Sequence, residues 1–301
     1  MRRIIPISGK DSLATAIVQM EREPRDDYEL FFNDVQAELP ETYEWLDKVE
    51  KYLNMPIHRV GISLEQIIFE QNCIPSQRVR FCTRLAKIKP MEEWIGEDDA
   101  LVYFGIRADE ERPGYVGGVD NITPKYPLRE EGIALNGVLQ LVASRRLSPP
   151  KFFWKTMYDL VVKSLTEINE EGFRIYDETH TTKILSRLPS IVFDDLFAWR
   201  TRTNCYFCFF QRVYEWIGLL EHHPDLFNRA QEIEEQVGGT GEDRFTWIEG
   251  ISLVALRNQA NQIINRRVKQ VTKDILRSDG KHSLVLLDAL SRSGCGLFCG
   301  K

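Results

Sequence analysis

The chain has 301 residues, of which 43% are hydrophobic, and a formal net charge of −6. This length suits one large or two small domains, and the apolar content is enough for a sizeable core. The negative charge argues against a protein that coats nucleic acid, although a local basic face stays open. No segment reaches the roughly 18 to 20 apolar residues that a membrane span needs, so no membrane partner is expected.

The N-terminal stretch does not have the pattern of a secretory signal. Lys10 and Asp11 interrupt it directly after the apolar residues 4–7. The six cysteines are few and unevenly spaced. In a long chain without a signal they are typical of reduced thiols or metal ligands rather than of a disulfide framework. The sequence therefore predicts a cytoplasmic protein.

The first half of the chain alternates apolar runs with amphipathic stretches. Four runs predict strands: RRIIPI (2–7), YELFFN (28–33), MPIHRV (55–60) and ALVYFGI (100–106). Helical patterns lie between them, so we expect an α/β fold with a parallel sheet and helices on both faces. Ligands bind such sheets at the carboxyl ends of the strands. The loops that follow those ends are 8–12, 34–42 and 107–115.

The residues after the first strand suit an anion. In Ser8-Gly9-Lys10-Asp11-Ser12 the glycine lets the backbone turn and approach a ligand closely. The helix that follows offers N–H groups and the positive end of its dipole, and the serines and Lys10 add donors and charge. A simple helix cap made by Ser and Asp explains this pentapeptide equally well.

Two further loops add charged side chains at the same edge of the predicted sheet. Asp34 and Glu38 follow the second strand, and Arg107 and Arg112 follow the fourth. An arginine guanidinium binds phosphate or sulfate through paired hydrogen bonds. Each residue alone would be an ordinary surface charge, but the three loops together predict a phosphate-binding edge.

Four ordered motifs over about residues 4–130 resemble the PP-loop family of adenine-nucleotide alpha-hydrolases. The branch of the family that this chain resembles includes the phosphoadenosine phosphosulfate (PAPS) reductases. The motifs are SGKDS (8–12), DVQAELPET (34–42), RFCTRLAKIKP (80–90) and GIRADEER (105–112). The first has one glycine fewer than the family loop, and Val35 and Gln36 stand where the family has Thr-Gly.

The resemblance implies a Rossmann-like PP-loop domain that binds an adenine nucleotide, namely ATP with Mg²⁺. Members of the family split ATP into AMP and pyrophosphate to activate an acceptor. For this chain we expect that the activated acceptor then receives sulfur. The resemblance assigns nucleotide binding to Ser8, Gly9, Lys10, Asp11, Ser12, Asp34, Glu38, Arg107 and Arg112. Lys10, Asp11, Arg107 and Arg112 would be catalytic, since cations stabilise the charge on leaving pyrophosphate. Asp11 and Glu38 would help to hold Mg²⁺, or Asp11 would cap and orient.

Two closely spaced cysteine pairs predict a metal site. Cys205 and Cys208 form the first pair, and Cys295 and Cys299 the second. Two such pairs supply four thiolates, which suit either Zn²⁺ or a [4Fe–4S] cluster, and the spacing does not choose between them. The segment RTRTNCYFCFFQR also resembles a cysteine motif of PAPS-reductase-like proteins. Buried or idle thiols are the ordinary alternative.

The C-terminal sequence keeps a second enzyme class open. GCGLF (294–298) resembles the tail of true PAPS reductases, in which the cysteine attacks sulfur, but Gly294 and Phe298 replace the family's glutamate and histidine. A sulfonucleotide reductase that uses Cys295 is therefore the alternative. A nucleotide-binding interaction subunit without turnover is the third.

The second half of the chain has a mainly helical pattern. We expect a PP-loop nucleotide-binding domain over residues 1–130 and a mainly helical domain with the cysteine pairs over 131–301. A long helix is predicted over about 252–277. Its basic residues would suit a nucleic-acid backbone, but a solvated helix face explains them more simply. Nucleic acid and a partner protein both stay open as the acceptor.

Overall fold

The computed structural model describes residues 1–25, 27–115, 117–167, 176–239 and 245–278. They belong to two compact units. Of the described residues, the first unit contains 1–150 together with 202–209, and the second contains 151–201 and those between 210 and 278. Within the described ranges, no helix is long and apolar enough to cross a membrane.

A five-stranded parallel sheet forms the centre of the first unit. Its order is β3-β2-β1-β4-β5. The strands are β1 (Arg2–Pro6), β2 (Tyr28–Asn33), β3 (Ile57–Val60), β4 (Ala100–Tyr103) and β5 (Ile122–Lys125). In β1, Ile5 pairs with Leu30 of β2, and Ile4 pairs with Val102 of β4. The prediction of a parallel α/β sheet is confirmed.

The helices of this unit cover both faces of the sheet. They are α1 (Lys10–Arg22), α2 (Pro40–Leu53), α3 (Leu64–Gln71), α4 (Phe81–Thr83), α5 (Lys89–Ile95), α6 (Pro127–Glu130) and α7 (Leu135–Ser144). Ile5 packs in one apolar core with residues of α1, α2 and α7. Its neighbour Ile4 packs in a second core with Met91 of α5. This alternation buries the sheet on both faces, as a parallel sheet requires.

The fifth strand, β5, extends the first unit beyond the four predicted strands. Its sequence is short and includes Pro124, which a strand interior does not accept readily. Because β5 pairs only with β4, at the edge of the sheet, the missing N–H of Pro124 is tolerated. Val138 and Val142 of α7 then join the core of α1. The first unit therefore continues past residue 130, to Pro150.

The helical stretch between β3 and β4 that covers residues 81–95 contains one turn that is not α-helical. Between α4 and α5 lies a π-helix over Arg84–Ile88. Pro90 follows it and has no N–H to continue the α-helical ladder. The π turn therefore ends two residues before a position at which the α-helical ladder is interrupted in any case.

The second unit is mainly helical, as predicted. Its helices are α8 (Lys155–Thr166), α9 (Glu178–Ser186), α10 (Ser190–Phe197), α11 (Val213–His222), α12 (Pro224–Val237), α13 (Leu253–Asn258) and α14 (Ala260–Ser278), with β6 (Phe152–Phe153) antiparallel to β7 (Ala198–Arg200). The helix expected over 252–277 is thus two helices, because the backbone leaves the helical range at Gln259 (φ −100°, ψ 5°).

Candidate functional site

The hydroxyl of Ser12 closes the loop after β1. Its Oγ accepts hydrogen bonds from the N–H groups of Ser8 at 2.8 Å and Gly9 at 3.0 Å, and it donates to the carbonyl of Gly9 at 2.9 Å. The sequence assigned the N–H groups of the following helix to an anion, and these two N–H groups directly precede them. An anion that uses both would therefore replace the Ser12 hydroxyl as their acceptor.

The loop leads directly into α1. The first intrahelical hydrogen bond runs from the N–H of Leu13 to the carbonyl of Gly9 at 3.0 Å. The N–H groups of residues 10–12 therefore have no acceptor within the helix itself. They carry the positive end of the helix dipole to the carboxyl end of the sheet, an environment that favours an anion.

Gly105 lets the loop after β4 approach the start of α1. A Cβ atom at this position would lie 2.6 Å from the N atom of Ser12 and 2.7 Å from the carbonyl carbon of Asp11. Both are backbone atoms, so no side-chain rotation can relieve the overlap. The close approach brings Arg107 beside Asp11.

Arg107 is held by three carboxylates. Its Nη1 lies 3.1 Å from Asp11 Oδ1 and 2.9 Å from Glu110 Oε1, and its Nε lies 2.9 Å from Asp109 Oδ1. The side chain is only 3% exposed. Burial lowers the pKa of Arg107, but the charges of Asp11 and Glu110 outweigh it and raise the pKa overall. The loop after β4 is thereby ion-paired to α1.

Arg112 reaches the same network through Glu110. Its Nη2 lies 2.8 Å from Glu110 Oε2 and donates to the carbonyl of Gly105 at 3.4 Å. Arg129 supports this loop by donating to the carbonyls of Glu110 and Arg112, both at 3.0 Å. The two arginines that the sequence singled out are therefore bridged by one carboxylate. Asp109, Glu110 and Arg129 were not predicted.

Asp34 lies at the end of β2 and is fixed by two donors. Its Oδ1 accepts from Tyr43 Oη at 2.7 Å and from the N–H of Gln36 at 2.9 Å. Burial, followed by the hydrogen bond to Asp34, raises the pKa of Tyr43. A Cβ on Gly61 would lie 2.1 Å from the Asp34 carbonyl oxygen, so β3 can end this close only with glycine there. Within the described residues, the carboxylate of Asp34 makes no hydrogen bond to the loop after β1.

Glu38 belongs to a cluster of thiols around Lys87. Cys205 Sγ lies 3.8 Å from Glu38 Oε1. Burial is the main reason why the pKa of the Cys205 thiol is well above its ordinary value. Burial also lowers the pKa of Lys87, but the nearby acidic groups, Cys205 and Glu38 first and then Cys82 and Cys208, raise it overall. Lys87 and Cys82 lie in the third of the four motifs, but the sequence did not indicate that they belong to this cluster.

The predicted four-cysteine metal site lies partly outside the described residues. Cys205 and Cys208 occupy one turn, in which the N–H of Cys208 donates to the carbonyl of Cys205 at 3.0 Å. Cys295 and Cys299 belong to the part of the chain that the structure does not describe. Among the described residues, no three His, Cys, Asp or Glu side chains are arranged to hold a metal ion. The site therefore stays a prediction.

Residues 202–209 join two of the loops at the strand ends. Thr203 Oγ1 donates to the carbonyl of Ser8 at 3.1 Å across 195 residues of sequence. The N–H of Tyr206 donates to the carbonyl of Ala37 at 2.7 Å. The segment thus contacts the loop after β1 and the loop after β2. No pattern in the sequence indicated this, because a single threonine carries no signal of such a distant contact.

Comparison with known proteins identifies the first part of the chain. Residues 3–115 match the family model of the phosphoadenosine phosphosulfate reductase domain. This stretch belongs to that domain family. The match contains the loops after β1, β2 and β4, so the resemblance drawn from the four motifs is confirmed.

A curated relative matches a similar length of chain. It is described as an uncharacterized protein, MJ0066, from Methanocaldococcus jannaschii, and it is 32% identical over 106 residues. The alignment covers 34% of this chain and 22% of the relative. The chain therefore spans only a small part of the relative's length.

Proposed function

We propose that the first unit binds ATP with Mg²⁺ and cleaves it to AMP and pyrophosphate, which activates an acceptor for sulfur transfer. One arrangement carries the proposal. The loop at the start of α1 and the arginine-bearing loop after β4 meet at the ion pair between Asp11 and Arg107, which are 3.1 Å apart. This arrangement supports the proposal, because the start of a helix and a guanidinium group, both of which favour anions, lie together at one edge of a parallel sheet.

In this proposal the cations act on the charge of the leaving pyrophosphate. Lys10 Nζ lies 3.0 Å from Asp11 Oδ2, so the carboxylate orients the ammonium beside the loop. Arg107 and Arg112 would neutralise the outer phosphates, with Arg107 exchanging one of its carboxylate partners for phosphate. Fixed cations that face a developing negative charge are the main source of catalysis in such transfers.

The carboxylates differ in how well they suit Mg²⁺. Both oxygens of Asp11 already face a cation, Oδ2 that of Lys10 and Oδ1 that of Arg107. Asp11 therefore fits the role of an orienting group for these two cations. Oδ1 of Asp34 accepts hydrogen bonds from Tyr43 and Gln36, so Asp34 would hold Mg²⁺ through Oδ2. Glu38 would supply the second carboxylate. The ion would neutralise phosphate charge.

The cysteines would hold a structural or redox metal. Cys205, Cys208, Cys295 and Cys299 supply the thiolate donors that Zn²⁺ and [4Fe–4S] clusters prefer. Metal analysis of the purified full chain tests this. Cys208→Ser should lower the metal content per chain, whereas Cys73→Ser, which changes a thiol outside the pairs, should not. Equal metal content in both variants would remove the proposal.

The domain family favours a sulfonucleotide reductase as the second candidate. Its description names PAPS reductase, and in that reaction Cys295 would be the sulfur nucleophile. The acceptor of the first candidate, whether nucleic acid or protein, has no place in this second reaction. The two candidates also differ in their nucleotide, and this difference can be measured directly.

Calorimetric titration of one preparation with ATP·Mg²⁺, adenylyl sulfate and PAPS separates the candidates. Binding needs no acceptor, so an unknown co-substrate cannot hide the result. Tighter binding of ATP supports the proposal, and tighter binding of PAPS overturns it in favour of the reductase. Binding of ATP without any pyrophosphate release, in the wild type as in Asp11→Asn, would instead indicate an interaction subunit. Binding of none would contradict all three.

A further inference from the structure

We propose that Thr203 is a positioning residue for the phosphate loop. Its hydroxyl fixes the carbonyl of Ser8 and thereby aims the N–H of Gly9 into the loop. The inference rests on the proposed function, since it is a nucleotide phosphate that the aimed N–H would meet. It assigns a role to a residue that lies far from the matched domain in sequence.

The geometry of the peptide bond carries the argument. The carbonyl of Ser8 and the N–H of Gly9 belong to one peptide unit, and in a planar trans peptide they point in opposite directions. On one side, Thr203 Oγ1 donates a hydrogen bond to the Ser8 carbonyl at 3.1 Å. On the other side the N–H of Gly9 reaches Ser12 Oγ at 3.0 Å. Fixing the carbonyl therefore fixes the direction of the donor.

The same contact limits the space for a side chain at residue 9. Its φ of 175° is extended backbone that any residue adopts, so the backbone conformation does not itself require glycine. A Cβ there would lie 3.1 Å from Thr203 Oγ1, closer than an ordinary contact between such atoms. The absent side chain at residue 9 leaves the space that the Thr203 hydroxyl occupies.

The hydroxyl is itself held in place by its own segment. The N–H of Tyr206 bonds the loop after β2 at the Ala37 carbonyl, 2.7 Å away. The turn from Cys205 to Cys208 follows directly. Because the segment is anchored on the same unit, Thr203 keeps its position before a nucleotide arrives, and the loop needs less ordering on binding.

The test compares two substitutions in the full chain. Thr203→Val keeps the shape of the side chain but removes the donor, and Thr203→Ser keeps the donor. We expect Thr203→Val to weaken ATP·Mg²⁺ binding about fivefold and Thr203→Ser to stay within about twofold of wild type. Hydrogen exchange of a peptide spanning residues 4–19 should be faster in Thr203→Val alone. If Thr203 only filled space, valine would replace it at least as well as serine, and Thr203→Val would lose neither affinity nor protection from exchange.

A matched control is Thr182→Val, since the Thr182 hydroxyl also bonds a backbone carbonyl, that of Glu178, at 2.9 Å on an exposed helix face. It should change neither measurement. If the wild type binds ATP and Thr203→Val equals Thr203→Ser, the positioning role is wrong while the function stands. If the wild type binds no nucleotide, the function fails, and unchanged exchange over residues 4–19 would overturn the positioning role as well.

Discussion

Arg107 Nη1 and Asp11 Oδ1 lie 3.1 Å apart and join the loop after β4 to the start of α1. Each residue lies at the carboxyl end of a different strand, and β1 and β4 are neighbours in the sheet. The arginine is buried, whereas the carboxylates around it are partly exposed. The pair therefore anchors the loop after β4 to the start of α1.

Removing the Arg107 charge should destabilise the first unit. Arg107→Met leaves the carboxylates of Asp11 and Glu110 without their buried partner, and this should cost about 3 kcal/mol of unfolding free energy. Urea unfolding measures the change. Arg229→Met is the control, because Arg229 pairs with Glu232 on an exposed helix face and should cost less than about 1 kcal/mol. Equal losses in the two variants would show that Arg107 is not an anchor.

A methyl group at residue 105 should separate the two loops. Gly105→Ala would place Cβ 2.6 Å from the Ser12 N atom, so the loop after β4 must move away from α1. We expect a loss of about 1 to 3 kcal/mol in unfolding free energy and weaker ATP·Mg²⁺ binding. Gly118→Ala is the matched control, since among the described residues other than its chain neighbours no atom lies within 4 Å of its added Cβ. A Gly105→Ala variant as stable as Gly118→Ala would contradict the close approach.

The charge of Lys10 should contribute to nucleotide binding rather than to stability. Lys10→Met removes a charge-assisted contact to phosphate, and we expect ATP·Mg²⁺ affinity to fall about tenfold with little change in unfolding free energy. Calorimetry at two salt concentrations measures this, since the wild type should lose more affinity with salt than the variant. Lys155→Met is the control. Lys155 pairs with Asp159 on α8, so the loss of its ammonium group should not change the affinity for ATP·Mg²⁺. Similar affinities in wild type and Lys10→Met would remove Lys10 from the site.

Tyr115 should make stability depend on alkaline pH. Its Oη donates to Glu92 Oε1 at 2.6 Å, and burial, followed by this hydrogen bond, raises its pKa. A raised pKa means that the stability it contributes is complete below the unfolded value, about 10, and is lost as pH rises above it. Unfolding free energy should therefore fall above pH 10, and less steeply in Tyr115→Phe.

The control for this titration is Tyr52→Phe, because Tyr52 is 49% exposed. Its unfolding free energy should follow the wild-type curve at every pH. Urea unfolding at pH values below and above 10 supplies both slopes. A Tyr115→Phe curve parallel to the wild type would mean that the phenol keeps its proton no better in the folded chain than in the unfolded one.

Local pattern was sufficient to predict most of the sheet and the edge on which the loops lie. Apolar runs marked β1, β2 and β4 because these central strands are buried on both faces, as Ile4 and Ile5 illustrate, whereas the edge strand β3 is buried only at Ile57. The edge strand β5 carries Pro124 and half-buried residues, so its pattern was too weak. The π-helix before Pro90 was also beyond periodicity, since a single wide turn changes the repeat too little to detect.

Contacts between distant residues account for what the sequence could not indicate at the site. Arg107 and Asp11 were each identified from their motifs, but the carboxylate of Glu110 that bridges two arginines was not. Thr203 and the cluster of thiols around Lys87 need residues from widely separated parts of the chain. Such pairs follow from the fold and leave no local trace.

Because residues 202–209 belong to the first unit, that unit is completed only late in synthesis of the chain. All five strands and the loops after β1, β2 and β4 leave the ribosome before Thr203 is made. The contact from Thr203 to Ser8 spans 195 residues and forms only after a large loop has closed. A fragment that stops at Pro150 would contain every motif of the domain and still lack the hydroxyl beside Gly9. Assays on such a fragment would therefore report on an incomplete loop after β1.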